Sequence, residues 1–428
     1  ILASIAFNYW MAIRVDRAHA RSEKAAQTLV ALAVAVNLFV LLYFKYANFV
    51  VDNLNALLGI AGVTPLEIPP VLLPIGISFF TFHAISYVVD VYRRDAIAQK
   101  SPVHAALYML LFPQLVAGPI IRYREISHQL AERRVSLDDF AEGARRFIIG
   151  LGKKTLIANS VAGPADKIFS LPAAQLDAPH AWLGIVCYTL QIYFDFSGYS
   201  DMAIGLGRMF GFEFPENFRW PYISETIQEF WRRWHISLSS WFRDYLYVPL
   251  GGNRVTPART YGNLVTVFFL CGLWHGASWN FVVWGLFHGA FLVLERLGLA
   301  RIIKEMPAQI RHVYTLLVVM IGWVFFRADT LGYAWAYLQA MCGHAATEPT
   351  PFTMLYFLNT EVVLALVIGI IGSMPIISSA RHMKERLSHA WPAFGLDLIG
   401  AVALMAVFFA SILQVAAQSY SPFIYFRF

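Results

Sequence analysis

An all-α protein that crosses a membrane many times is the fold class this sequence predicts, on three observations. The 428 residues are 58% hydrophobic and only 14% charged. Their mean hydropathy of +0.55 is more apolar than a water-soluble domain has interior to hold. Several apolar runs also reach the roughly 20 residues that cross a hydrocarbon core about 30 Å thick. The net charge of +6 is gathered in a few short stretches, the pattern of cytoplasmic loops. No RNA- or DNA-binding pattern accompanies it, so no nucleic acid is expected as a partner. Cys187, Cys271 and Cys342 sit in apolar surroundings without CxxC pairing or metal-ligand spacing, so neither a disulfide framework nor a metal site is indicated.

Residues 1–13 are apolar but too short to span, begin without Met and run straight into basic residues. A signal peptide would place its basic residues first, so this segment reads as the end of a helix that starts upstream, and residues 1–428 as a single transmembrane domain. Arg14 to Lys24 marks the cytoplasmic side, residues 26–46 cross, and residues 51–70, which hold no Lys or Arg, lie outside. Residues 71–90 return to Arg93, Arg94 and Lys100. Residues 105–121 are short, contain Pro113, Gly118 and Pro119, and lead to further basic residues up to Arg134. A re-entrant element that enters and leaves on one side fits them, and such broken elements survive only within protein or around a cavity.

Residues 147–162 cross outward, 182–196 return, and 202–212 form a further apolar piece broken by glycines. The basic stretch 219–259 faces the cytoplasm or lies in its interface. Residues 262–294 are too long for one straight span and too short for two full ones with a loop. Basic residues flank them on both sides, so a helix–break–helix hairpin is expected, with GLWHGASW (272–279) as the break. Residues 313–326 cross, the loop around 342–351 lies outside, and 360–377 return to Arg381, Lys384 and Arg386. Residues 396–415 exit, leaving SYSPFIYFRF (419–428) outside. The total is about 10–11 membrane-embedded helices or half-helices with no internal repeat.

Ionisable groups at membrane depth cost about 2.5–3.5 kcal/mol on insertion scales and mark functional candidates. His275 lies about 20 Å into the hairpin, taking about 1.5 Å per residue from position 262. Gly272 and Gly276 allow close approach there, while Ala277 and Ser278 leave room. A neutral imidazole at that depth is either a base that accepts a hydroxyl proton or a core histidine bonded to a carbonyl. In the stretch around His235, helical period places Trp231, Trp234, Leu238 and Trp241 on one face. Arg232, His235, Ser239 and Arg243 fall on the other, and Thr226 and Glu229 suggest a capping box. This helix is either a phosphate-binding element, whose arginine forks match phosphate oxygens, or an interfacial anchor against lipid headgroups. Gln191, Asp195 and Tyr199 share a face, and Asp201 follows. At least one of these carboxylates is expected to pair with a basic residue. His83 and His288 read as structural. No GxSxG, P-loop or GxGxxG motif occurs, which argues against an ATP-driven pump.

FWRRWHISLSSWFRDYLYVPLGGNR (230–254) and FFLCGLWHGASWNFVVWGLFHG (268–289) resemble the two signature blocks of the membrane-bound O-acyltransferase (MBOAT) superfamily. LLPIGISFFTFHAISYVVDVYR (72–93), FPQLVAGPIIRY (112–123), QIYFDFSGYSDMAIGLGRMFGF (191–212) and PFIYFRF (422–428) are similar to its bacterial, alginate-acetylating branch. The resemblance covers essentially the whole chain. It implies a bundle of tilted and partly re-entrant helices around a central tunnel, with the family's catalytic histidine falling on His275 and its second histidine on His235.

The expected activity is therefore acetyl transfer from cytoplasmic acetyl-CoA, across the inner membrane of a bacterium, for O-acetylation of an exported polysaccharide, alginate first. His275 is the expected base and His235 orients the thioester. Arg232, Arg233 and Arg243 are candidates for the CoA phosphates. Periplasmic acetyltransferase proteins and membrane lipid are the expected partners, and no metal or permanently bound cofactor is called for. The alternatives are a D-alanyl or other transferase fed by a carrier-protein thioester, a secondary transporter, and a scaffold that only recruits acetylating partners.

Overall fold

The computed structural model describes residues 1–115, 118–344, 346–376, 393–417 and 423. Among these, all regular structure is helical. The chain forms two compact units, Ile1–Gly143 with Leu206–Pro215 and Trp274–Ser278, and Ala144–Gly205 with Glu216–Leu273 and Trp279–Phe428.

In the first unit, α1 (Leu2–His19), α2 (Glu23–Ile60) and α3 (Ile77–Arg93) pack on one another. The Ser22 side chain caps α2 by accepting from the main-chain N–H of Ala25. Asn8 and Asn37 exchange amide hydrogen bonds of 3.0 and 2.7 Å between α1 and α2, the kind of polar link that holds helices together where lipid offers no hydrophobic drive. At 38 residues, α2 is about 57 Å long and continues well past the expected 26–46. The expected span 71–90 becomes helical only at Ile77, after Gly76 adopts a left-handed φ of 76°.

The expected re-entrant segment is two short pieces, α4 (Pro102–Leu110) and α5 (Phe112–Leu115), followed by α6 (Tyr123–Ile126). At about 14 Å, α4 reaches only half a bilayer. A Cβ on Gly118 would collide with the Pro113 carbonyl, so the chain folds back on itself closely enough to require glycine. The Tyr108 hydroxyl ties the fold by donating to the Ile121 carbonyl at 2.9 Å. Val116 and Ala117 lie outside the described residues.

The second unit takes in most of α7 (Leu137–Gly152), a π-helical turn (Lys153–Ala158), α8 (Asn159–Phe169) and most of α9 (Ala178–Met209). The two pieces expected at 182–196 and 202–212 are joined in one continuous helix, which ends at Met209. Gly198 does not interrupt it. A Cβ there would lie 2.7 Å from the Gly150 carbonyl oxygen, and a Cβ on Gly150 would lie 2.5 Å from that of Gly198. The glycines serve a close crossing of α7 and α9.

Beyond α9, the short helices α10 (Ile227–Arg233) and α11 (Ile236–Phe242) precede α12 (Pro257–His275) and α13 (Trp279–Leu294). The last two make the expected hairpin, and its break, 276–278, falls inside GLWHGASW. Each arm is longer than expected. The first begins at Pro257, and the second continues through a π turn (Glu295–Leu299) into α14 (Ala300–Glu305). The arms cross glycine to backbone: a Cβ on Gly272 would strike the Phe281 carbonyl, and one on Gly285 that of Phe268.

The remaining helices are α15 (Ala308–Arg327), α16 (Leu331–Met341), α17 (Met354–Phe357), α18 (Thr360–Gly372) and α19 (Ala393–Ala417). Among the described residues, four helical stretches are long and apolar enough to cross a membrane: Glu23–Ile60, Trp279–Glu305, Ala308–Arg327 and Asp397–Ala417. The last has a hydropathy of 2.4 and only 6% of its window buried, a combination that water does not tolerate and lipid favours. The protein is thus a multi-pass membrane protein. Arg381, Lys384, Arg386 and the segment 419–428, with their expected topology, lie outside the described residues save Phe423.

Candidate active site

The helix expected to carry Arg232, His235, Ser239 and Arg243 on one face is broken. Trp234 and His235 leave the helical path, and His235 adopts a left-handed φ of 43° as the residue preceding α11. This is costly for a side chain with a Cβ, so the surroundings must hold it. Asn217, on the preceding irregular segment, does so. Its main-chain carbonyl accepts from the N–H of Ile236 at 2.9 Å, and its Oδ1 accepts from the N–H and hydroxyl of Ser237 at 3.2 and 2.9 Å.

Nδ1 of His235 lies 3.0 Å from the same Oδ1. Because a main-chain N–H also donates to that atom, it is an acceptor, and Nδ1 must carry the proton. The neutral ring therefore presents its lone pair on Nε2. Asn217 Nδ2 donates in turn to Ser200 Oγ of α9 at 3.0 Å. Phe196 stands edge-on to the imidazole at 4.6 Å, and His235 is fully buried. The break turns His235 inward while Arg232 and Arg243 stay exposed. Trp231, Trp234, Leu238 and Trp241 are all buried, as the sequence pattern expects.

Three side chains hold the start of α10. Thr226 Oγ1 accepts from the N–H of Glu229 at 3.0 Å. Glu229 reaches back to the N–H of Glu225, one residue short of a closed capping box. The buried carboxylate of Glu295 accepts from the N–H groups of Ile227 and Gln228 at 2.7 and 3.0 Å, an acid at the positive end of a helix.

Arg232 and Arg243 line one cavity of about 240 Å³, and Arg296 joins them there. Trp231, Phe268 and Cys271 form part of its apolar wall. Arg243 is paired with Asp244 at 2.7 Å, and Arg296 donates to Asn253 Oδ1 at 3.0 Å. Among the described residues Arg232 has no acidic partner. Arg233 is not part of this cavity: it pairs with Glu229 at 2.8 Å and donates to the Arg219 carbonyl at 3.1 Å. An apolar slot rimmed by guanidinium groups suits a phosphorylated molecule with a slender arm.

In the first unit, His275 is the last residue of α12 and is 6% exposed. Trp274 before it is stacked on Phe82 at 5.1 Å and edge-on to Phe79 at 5.4 Å. Lys45 of α2 donates to the main-chain carbonyls of Trp274 and His275. The candidate carboxylates on α9 are paired, as expected for at least one of them. Asp201 meets Arg146 at 2.8 Å and Lys153 at 2.6 Å, and Asp195 meets Lys154 at 2.5 Å. His288 is boxed by Trp231 and Trp284, edge-on at 5.1 and 5.3 Å, and His83 lies edge-on to Tyr108, in keeping with the structural reading of both.

Sequence reasoning missed Lys45, Asn217 and the part played by Arg296. Lys45 carried a signal, a lone cation inside the apolar run 26–46. Asn217 carried none, since no periodicity links it to His235.

Two buried histidines thus stand at backbone breaks, His235 between α10 and α11 and His275 at the end of α12. The chain is a member of the MBOAT, membrane-bound O-acyltransferase family, whose model matches residues 75–331. It is 44% identical to a probable alginate O-acetylase of Azotobacter vinelandii, with 99% of this chain and 89% of that protein aligned. A peptidoglycan O-acetyltransferase of Helicobacter pylori is 33% identical, over 100% of this chain and 87% of its own length. A teichoic acid D-alanyltransferase of Bacillus subtilis is 30% identical over 51% of this chain and 58% of its own. The protein is therefore a bacterial inner-membrane O-acyltransferase.

Proposed function

We propose that the protein transfers acetyl groups from cytoplasmic acetyl-CoA towards an exported polysaccharide, alginate first. The observation that carries this reading is the 44% identity, over nearly the whole chain, with a probable alginate O-acetylase. His275 acts as general base. It takes the proton of the acceptor hydroxyl as that oxygen attacks the thioester carbonyl. The C–S bond then breaks, and the departing thiolate receives the proton. His235, with its lone pair on Nε2, orients the thioester arm. Arg232 and Arg243, with Arg296 beside them, hold the CoA phosphates, and Arg233 belongs to the same basic helix end. Periplasmic acetyltransferase proteins complete delivery to the polymer.

The test is transfer of labelled acetyl groups from acetyl-CoA to alginate oligomers by the purified protein in liposomes. His275→Ala is expected to reduce it to background. Full activity in a folded His275→Ala protein would end the base assignment. The identity with a D-alanyltransferase favours a second reading, in which the donor is a carrier-protein thioester. Offering each donor separately decides between them, because both present the same pantetheine arm.

A further inference from the structure

Lys45 sits inside the 38-residue apolar helix α2, where an ionisable side chain calls for a reason. Its Nζ donates to the carbonyl of Trp274, to that of His275 at 3.2 Å and to Ser78 Oγ at 3.4 Å. Three acceptors match the three hydrogens of an ammonium group. Both carbonyls belong to the last turn of α12, which the chain leaves directly after His275. Helix-final carbonyls have no partner within their own helix, and a cation at that end also meets the negative pole of the helix dipole.

The neighbouring ring is held just as firmly, since Trp274 is gripped by Phe79 and Phe82 of α3. The main chain carrying His275 is thus fixed from α2 and its preceding side chain from α3. All of these residues lie within one compact unit.

We propose that Lys45 is a positioning residue for acyl transfer, setting the backbone at the end of α12 so that the His275 imidazole is aimed at the reacting hydroxyl. The proposal rests on the reading of His275 as the base. A lysine that only stabilises the helix end would change the melting temperature and the amount of active protein, but not the turnover of the folded fraction. A positioning lysine changes kcat and leaves donor binding alone.

The experiment is steady-state acetyl transfer from acetyl-CoA to alginate oligomers in liposomes, normalised to folded protein, for Lys45→Met, Lys45→Arg and His275→Ala. Lys45→Met is expected to lower kcat about ten- to a hundredfold, the rate equivalent of one charge-assisted hydrogen bond. KM for acetyl-CoA should stay within about twofold of the parent, well below the tenfold that such a bond to the donor would be worth. Lys45→Arg, which keeps the donors and the charge, is expected to recover most of the loss. If Lys45→Met does not fold, Lys45→Gln, with two N–H donors and no charge, takes its place and should fall between the parent and His275→Ala. A parental kcat in the Met or Gln variant, a loss confined to KM, or an Arg variant no better than Met overturns the proposal. An inactive His275→Ala beside a fully active Lys45→Met overturns positioning alone, whereas an active His275→Ala removes the base reading and the proposal with it.

Discussion

Asn217 Oδ1 lies 3.0 Å from Nδ1 of His235 and accepts the main-chain N–H of Ser237 at the same time. One amide oxygen therefore sets both the left-handed turn and the ring tautomer. Asn217→Ala is expected to leave His235 buried without its partner, which costs about 1–3 kcal/mol and about ten- to a hundredfold in acyl transfer. Turnover per folded molecule checks this, and parental turnover would show that the tautomer does not matter.

Arg232, Arg243 and Arg296 line one cavity and Arg233 does not. Arg296→Ala removes one cation from its rim and is expected to raise KM for acetyl-CoA about tenfold, the worth of one charge-assisted contact. Arg233, paired with Glu229 outside the cavity lining, should leave KM near the parental value when changed to Ala. Equal effects from the two variants would contradict the division.

Asp201 accepts from both Arg146 and Lys153, and Arg146 also meets Glu216 at 2.5 Å. Removing the shared acid strands the half-buried Lys153 and leaves Arg146 to Glu216 alone. Asp201→Ala is therefore expected to destabilise the protein by about 3–5 kcal/mol, seen as a lower unfolding midpoint in detergent. An unchanged midpoint would mean that the network is energetically neutral.

The crossing of α12 and α13 tolerates no side chain at Gly272, where a Cβ meets the Phe281 carbonyl. Gly272→Ala should cost about 1–3 kcal/mol through overpacking. Gly262, on the same helix with nothing within 4 Å, should gain up to about 1 kcal/mol on change to Ala. Thermal unfolding of the two variants gives opposite signs if the crossing is as described.

Asp177 caps α9: its Oδ1 accepts from the N–H of His180 at 3.0 Å and meets Nδ1 of the same residue at 2.6 Å. Burial pushes its carboxyl up, but these contacts outweigh it and hold the group below its ordinary 3.8. A carboxylate depressed on folding contributes stability above the unfolded value and loses it as pH falls through the folded one. Asp177→Ala is expected to cost about 1 kcal/mol at neutral pH, with the gap closing below pH 3.8. A gap that persists in acid would place the contribution elsewhere.

The hairpin break was legible because Gly276 and Ser278 weaken a helix locally, and local weakness is written in local residues. The kink at His235 was not. Trp231, Trp234, Leu238 and Trp241 follow a helical period whether or not the helix is continuous, and the break is stabilised by Asn217, 18 residues away in sequence. Gly198 misled in the opposite sense, since a glycine that permits a helix crossing looks the same in sequence as one that ends a helix.

By itself, the sequence determined the membrane class, the helical architecture, the hairpin and the histidines worth testing, because hydropathy, charge placement and helix-weakening residues act over a few neighbouring positions. Only the tertiary structure decided which nitrogen of His235 carries the proton, which arginines share a cavity, and that Lys45 reaches the carbonyls beside His275. Hydrogen bonds and ion pairs depend on distances of about 3 Å between residues far apart in the chain, and no local pattern records them.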